Sequence, residues 1–226
     1  MFSLVLLSGG KGTRMQRSLP KQYLLLGGKP IIMHTLERID NMQEISDIII
    51  VCETEYTNNL MMMAEQYNIK SRISYVVAGN SRQESVYNGL LHCKNDQVVI
   101  HEAVRPFVKT DDFMRLLEAE EENAILGYTI NYTVLKGRSY IESELNREEL
   151  VNVQLPQKFN LALLRLAHER ARDDKKAYTE DSHMVFHYFG TQIRIVNGMC
   201  YNIKITEPID LSYGEVIYKK FFSIGG

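Results

Sequence analysis

The sequence predicts an α/β fold: a Rossmann-like, mostly parallel sheet flanked by helices, with a protruding β-hairpin arm. Three observations predict it. Short apolar runs alternate with segments of helical spacing along most of the chain. The first apolar run ends in a glycine cluster, "SGGKGTRM" (8–15), and one stretch, 129–155, breaks the alternation. Strand–helix–strand alternation points to a parallel sheet covered on both faces.

Each element follows from its residues. "SLVLLS" (3–8) is a short apolar run that stops at glycine, the pattern of a buried strand. "IIMHTLERI" (31–39) has helical spacing and follows Pro30, and "DIIIVC" (47–52) is a second buried strand. Residues 55–67 form a helix whose run Met61, Met62 and Met63 reads as helix packing rather than a cofactor contact. "ISYVVA" (73–78) is the third strand. In "SRQESVYNGLLHC" (81–93), Ser81 caps a helix with Glu84 three residues on, and Val86, Leu90 and Cys93 share a face. "QVVIH" (97–101) is the fourth strand and 111–122 a helix with a polar face. "TINYTVLKGRSYIESELNREELVNVQL" (129–155) carries strand-like residues around a "KGRS" turn and has little core hydrophobicity, so it reads as a hairpin arm. Helices return at 161–172 and 208–222, while "YNIKITEPIDL" (201–211) opens as a strand-like run.

The 226 residues form a single domain, 1–226, with 45% hydrophobic and 24% charged residues, as in ordinary globular proteins. Cys52, Cys93 and Cys200 are odd in number, widely spaced and without zinc-ligand spacing, which suits reduced thiols in the cytoplasm. No apolar run reaches membrane-spanning length, and "FSLVLLS" lacks a secretory layout. A net charge of −2 argues against a general nucleic-acid binder, so any polyanion must meet a local cluster of cations.

Such a cluster begins in the opening loop. "SGGKGTRM" is no P-loop, because Lys11 lies between glycines and no Gly-Lys-Thr follows. Gly10 and Gly12 match two glycines of a dinucleotide fingerprint, but Met15 stands at the third. A nucleotidyltransferase loop is the other reading: backbone N–H groups cradle a triphosphate while Arg14 and Lys21 flank the α-phosphate and neutralise its charge. A structural turn with two solvated cations also accounts for the loop.

Further along, "GNSRQESVYNGL" sets Gly79, Asn80 and Ser85 at a strand-to-helix junction, where free N–H groups meet a base or phosphate or simply cap a helix. "HEAVRPFV" (101–108) follows the fourth strand, where open parallel sheets bind ligands. Glu102 there is a candidate Mg2+ ligand and Arg105 a candidate phosphate clamp; a surface ion pair between them is the plainer alternative. Lys204 either snorkels out of its apolar run or faces a polar pocket. His183 and His187 have the spacing of a zinc pair, but the glutamate of H-E-x-x-H and a third ligand are missing.

"SGGKGTRM", "PKQYLLLGGKPIIMHTL", "SRQESVYNGL", "HEAVRPFV", "LPQKF", "YTEDS" and "NIKITEPIDL", in this order through nearly the whole chain, resemble the cytidylyltransferases of polyol phosphates. That family acts on 2-C-methyl-D-erythritol 4-phosphate, ribitol-5-phosphate or related alditol phosphates. The resemblance implies CTP as donor, Mg2+ as cofactor, and a homodimer with arm exchange. It implies that Arg14 and Lys21 stabilise the pentavalent α-phosphate, that Ser8, Gly9, Gly10, Lys11 and Gly12 cradle the triphosphate, and that Gly79, Asn80 and Ser85 read cytosine. Arg105, Lys204, Arg147 and, across the dimer, Thr133 would hold the polyol phosphate. The chain departs from the pattern at "LSGG", at Glu102 where a shorter acid is usual, and at Tyr132 where methylerythritol enzymes carry aspartate. At Leu155 it lacks a hydroxyl that would contact the substrate phosphate, a bond worth about 1.5–3 kcal/mol. Rivals are a nucleotidyltransferase using UTP or GTP and a non-catalytic nucleotide-binding protein; a hydride-transfer enzyme ranks behind both.

Overall fold

The first apolar run becomes β1 (Phe2–Leu7), a central strand of the main sheet. The computed structural model, which describes residues 1–10, 12, 15 and 19–222, continues with a small ribbon of β2 (Leu25–Leu26) and β3 (Lys29–Pro30). Then come α1 (Ile31–Ile39), β4 (Ile45–Cys52), α2 (Thr57–Gln66), β5 (Ile73–Val77), α3 (Arg82–Leu90), β6 (Gln97–Glu102) and α4 (Thr110–Leu117). The second half holds β7 (Ala124–Thr129), the hairpin β8 (Val134–Gly137) and β9 (Ile141–Leu145), β10 (Val151–Asn160), α5 (Leu161–Asp173), α6 (Asp181–Phe189), β11 (Arg194–Asn197) and α7 (Pro208–Phe221).

The main sheet has the order β11-β7-β10-β6-β1-β4-β5. Among the described strands of this sheet β10 alone runs against the rest, antiparallel to β6 and β7. Side-chain alternation explains why both faces are covered. Leu4, Leu6, Ile48, Ile50 and Val99 point to one face and bury α1 residues Ile32, Met33 and Leu36 together with Phe113 of α4. Val5, Ile49, Val51, Val98 and Ile100 point to the other, against Val86 and Leu90 of α3, Leu164 of α5 and Met184 of α6. A third cluster, Leu26, Ile31, Phe107 and Ile205, receives Leu211 and Ile217 of α7.

Several expectations are corrected. The arm is narrower than 129–155: Thr129 belongs to β7, and residues 151–155 belong to β10, paired in the main sheet. The separate hairpin does turn at "KGRS", with Lys136 facing Ser143. Helix α4 stops at Leu117 rather than 122, since acidic residues 118 and 120–122 would oppose the negative helix end. Residues 199–206 form no strand and run as an irregular segment pinned by the Ile205 N–H on the Val104 carbonyl (2.9 Å). Met61 and Met62 are exposed rather than packed; Leu60, Ala64 and part of Met63 meet the core instead. Strands β7 and β11 were not anticipated. Among the described residues no helix is long and apolar enough to cross a membrane, and Cys52, Cys93 and Cys200 are free thiols.

Candidate active site

From β1 the chain moves outward through β4 to β5 and returns on the other side of β1 as β6. That reversal opens a crevice beyond the carboxyl ends of the strands. A cleft of about 530 Å³ lies there, a size suited to a nucleotide-scale ligand. Ser8, Gly9 and Gly10 enter from β1, Gly79 and Asn80 follow β5, Arg82 and Ser85 come from the start of α3, and Glu102 ends β6. Lys21 and Lys204 complete the wall. Gly12 sits beside Lys21 with φ +63°, whereas Lys11 and Arg14 lie outside the described residues.

Local chemistry explains these placements. A Cβ at Gly9 would overlap Ala78, and one at Gly79 would overlap Glu84, so glycine allows the two loops to close on each other. The Gly79 N–H donates to Ser85 Oγ (3.0 Å), and Ser81 Oγ accepts from the Glu84 N–H (3.1 Å). The Glu84 carboxylate then takes the Asn80 N–H (2.8 Å), one residue earlier than a standard capping box would place it. Lys21 lies on a short 3-10 turn anchored by its neighbours: Tyr23 packs in the core, and Gln22 Nε2 donates to the Ser8 carbonyl (2.6 Å). Only 8% exposed, Lys21 lines the cleft.

Glu102 is the electrostatic centre. Its carboxylate meets Lys204 Nζ at 2.9 Å, Arg105 Nε at 3.4 Å and Arg82 Nε at 3.6 Å. Burial alone would raise the Glu102 pKa, but Lys204, Arg105 and Arg82 together hold it below the ordinary carboxylate value. The pair with Arg105 is therefore buried, not a surface contact. Lys204 neither snorkels into bulk solvent nor stands alone; it crosses to Glu102. Arg105 sits behind Glu102, donating from Nη1 to the Asn202 carbonyl (3.0 Å), and is not among the residues that line the cleft.

Thr133 and Arg147 are on the arm, around a separate groove with Asn146. Leu155 does not open onto the cleft. Its side chain is buried in the α3–α5 layer, at a bulge in β10 where Pro156 need not donate to the ladder. His183 and His187 are exposed, and among the described residues no cluster of three or more His, Cys, Asp or Glu side chains is placed to hold a metal.

Sequence reasoning missed Gln22, Glu53 and Arg82 in the cleft and Asp181 behind it. Arg82 Nη2 reaches Asp181 Oδ2 at 2.7 Å. A signal existed for Arg82: a cation in the first turn of a helix opposes the helix dipole and calls for a compensating acid. No sequence pattern reveals which acid answers it.

An open, mostly parallel sheet with a glycine turn after β1 and a cation-edged cleft at the strand ends defines a nucleotide-binding α/β protein. Comparison with known proteins narrows this. The family model described as IspD, 2-C-methyl-D-erythritol 4-phosphate cytidylyltransferase, matches residues 2–220. The 2-C-methyl-D-erythritol 4-phosphate cytidylyltransferase of Halalkalibacterium halodurans is 34% identical over 221 residues, covering 96% of each chain. The chloroplastic protein of that name from Oryza sativa is 35% identical over 219 residues, covering 94% of this chain and 73% of its own. The crystal structure of 4-diphosphocytidyl-2C-methyl-D-erythritol synthase from Anaerococcus prevotii superposes with a TM-score of 0.86 at 25% identity, covering 97% and 98% of the two chains. The chain belongs to the 2-C-methyl-D-erythritol 4-phosphate cytidylyltransferase family and is a CTP-dependent nucleotidyltransferase.

Proposed function

We propose that the protein transfers CMP from CTP to 2-C-methyl-D-erythritol 4-phosphate and releases pyrophosphate. The observation that carries this reading is the single cleft that brings the glycine turn, Lys21, the β5–α3 junction and the Glu102–Lys204 pair together. Backbone N–H groups of the turn after β1 hold the triphosphate, and Gly79, Asn80 and Ser85 face the base. An acceptor phosphate oxygen attacks the α-phosphorus in line; the new O–P bond forms as the bond to the β-phosphate oxygen breaks, and its electron pair leaves with pyrophosphate. Lys21, with Arg14 from outside the described residues, neutralises the charge that builds in that step. The acceptor phosphate is already ionised, so no strong general base is needed.

Glu102 Oε2 is buried against Arg105 Nε (3.4 Å), so a hard cation carried in on phosphate oxygens would meet this carboxylate through Oε1, which Lys204 holds at 2.9 Å. Bound Mg2+ would supply further charge neutralisation, with Glu102 as its protein ligand. Lys204 is assigned to the acceptor phosphate, and Arg105, which sits behind Glu102, acts on that phosphate only through this carboxylate. We assign Thr133 and Arg147 to the partner's cleft in a homodimer. A two-stranded ribbon is marginal by itself, and Tyr132 and Tyr140 on the arm are 82% and 87% exposed. The three free thiols suit a cytoplasmic protein. With its side chain buried away from the cleft, Leu155 leaves the methylerythritol acceptor in place. Pyrophosphate release from CTP, UTP and GTP with methylerythritol phosphate and ribitol phosphate tests the reading. Turnover with CTP and methylerythritol phosphate is expected; preference for another nucleotide or for ribitol phosphate contradicts the corresponding assignment.

A further inference from the structure

Behind the cleft wall lies a second buried charge system that the reaction does not touch directly. His168 on α5 is only 3% exposed, and its Nε2 lies 3.2 Å from Asp181 Oδ1. The other oxygen of the same carboxylate holds Arg82 Nη2 at 2.7 Å. Asp181 opens α6 and Arg82 opens α3, so this one carboxylate ties three helices together at the edge of the cleft. Asp181 stays ionised: burial would raise its pKa, yet Arg82 and then His168 bring it down to about 2.

The geometry continues into the site. Arg82 lines the cleft and reaches Glu102 at 3.6 Å, and Glu102 holds Lys204 at 2.9 Å. Arg82 has a long side chain with many rotamers, and Glu102 touches it at only one nitrogen. Its place is therefore fixed from behind, by Asp181. Asp181 in turn would be free to swing toward Arg82 alone without a second contact on its far oxygen. A buried imidazole at that point is costly unless it has a polar partner, so an apolar side chain would be the simpler packing choice between α3 and α5. The Tyr87 ring lies beside the His168 ring, 6.0 Å between ring centres.

We propose that His168 is a positioning residue for nucleotidyl transfer: through Asp181 it holds Arg82 in the cleft wall, and thereby sets the charge that Glu102 and Lys204 present to the reactants. This rests on the cytidylyltransferase reading above. His168 itself touches neither substrate.

The test uses the full-length protein with CTP and methylerythritol phosphate, measured well below the melting temperature of each variant. In His168→Gln the amide nitrogen falls near the position of Nε2 and keeps a polar contact within reach of Asp181; in His168→Leu none remains. His168→Leu should lower kcat about ten-fold with CTP KM nearly unchanged, and His168→Gln should recover to within about two-fold of wild type. Should His168→Leu fail to fold, His168→Asn carries the same expectation, because its shorter amide stops short of Asp181. Equal kcat in the wild type, the glutamine variant and the leucine or asparagine variant would overturn the inference, even if their melting temperatures differ. So would an equal loss in all variants, which marks a packing role only. A silent wild type would overturn the functional reading and this inference with it, a result distinct from an active wild type with indifferent variants.

Discussion

Lys21 carries the heaviest demand placed on any described side chain, because it must oppose charge that exists only while the α-phosphoryl group moves. Its truncation should therefore act on the chemical step: Lys21→Ala is expected to lower kcat about 100-fold while CTP KM shifts little, as steady-state kinetics would show. A change in KM alone would instead make it a ground-state anchor. Asp181 yields a second prediction, this time in stability. Its folded pKa of about 2 lies below the ordinary 3.8, so the folded state binds fewer protons than the unfolded chain in that interval. The contribution is complete above about pH 4 and lost as pH falls through about 2, and it amounts to about 2 kcal/mol. Urea unfolding between those pH values should show a steeper loss in wild type than in Asp181→Asn; parallel curves would place the charge elsewhere. Lys21 was legible in the sequence because it lies a few residues from the glycine turn. Arg82 was not, since its partners Glu102 and Asp181 come from other elements and only folding brings them to it.

At the scale of elements, the junction from β5 into α3 matters most, because it shapes the face assigned to the base. The Ser81 cap is local and should behave so: Ser81→Ala is expected to cost about 1 kcal/mol in denaturant unfolding. Gly79→Ala should do more to function than to stability, since its new methyl would push Glu84 off the Asn80 N–H and distort the turn that lines the cleft. Weakened CTP binding by calorimetry with a nearly unchanged melting temperature is the expected result; unaltered affinity would remove this turn from nucleotide recognition. Helices α1, α3 and α7 were readable because each begins at a marked residue, Pro30, Ser81 or Pro208, ahead of a spaced apolar face. β7 and β11 were not. β11 has four residues and is largely exposed at the sheet edge, while in β7, as long as β1, the apolar run Ala124–Leu126 is cut by Gly127 and closely follows an acidic stretch. The bulge at Leu155 and Pro156 hid β10 in the same way, by breaking alternation inside a single strand.

For the whole molecule, the arm stands apart from a cleft that one chain leaves without Thr133 and Arg147. A homodimer joined by its arms is therefore expected in sedimentation velocity, and replacing residues 131–149 with a short glycine linker should yield a monomer with sharply reduced turnover. A monomeric wild type with full activity would confine the site to one chain. The sequence made the parallel core and the order of its motifs plain, because buried strands and glycine turns are written in neighbouring residues. It could not show that Arg105 would sit behind Glu102, or that Leu155 would turn inward, because both depend on how distant strands register. All of this leads to one reaction at one cleft. The most direct measurement is pyrophosphate released from CTP by the full-length protein with 2-C-methyl-D-erythritol 4-phosphate and Mg2+, followed alongside formation of the cytidylylated product. Matched amounts of pyrophosphate and product, with CTP preferred over UTP and GTP, are what the proposed chemistry requires; bound CTP with no pyrophosphate released from any acceptor would contradict it.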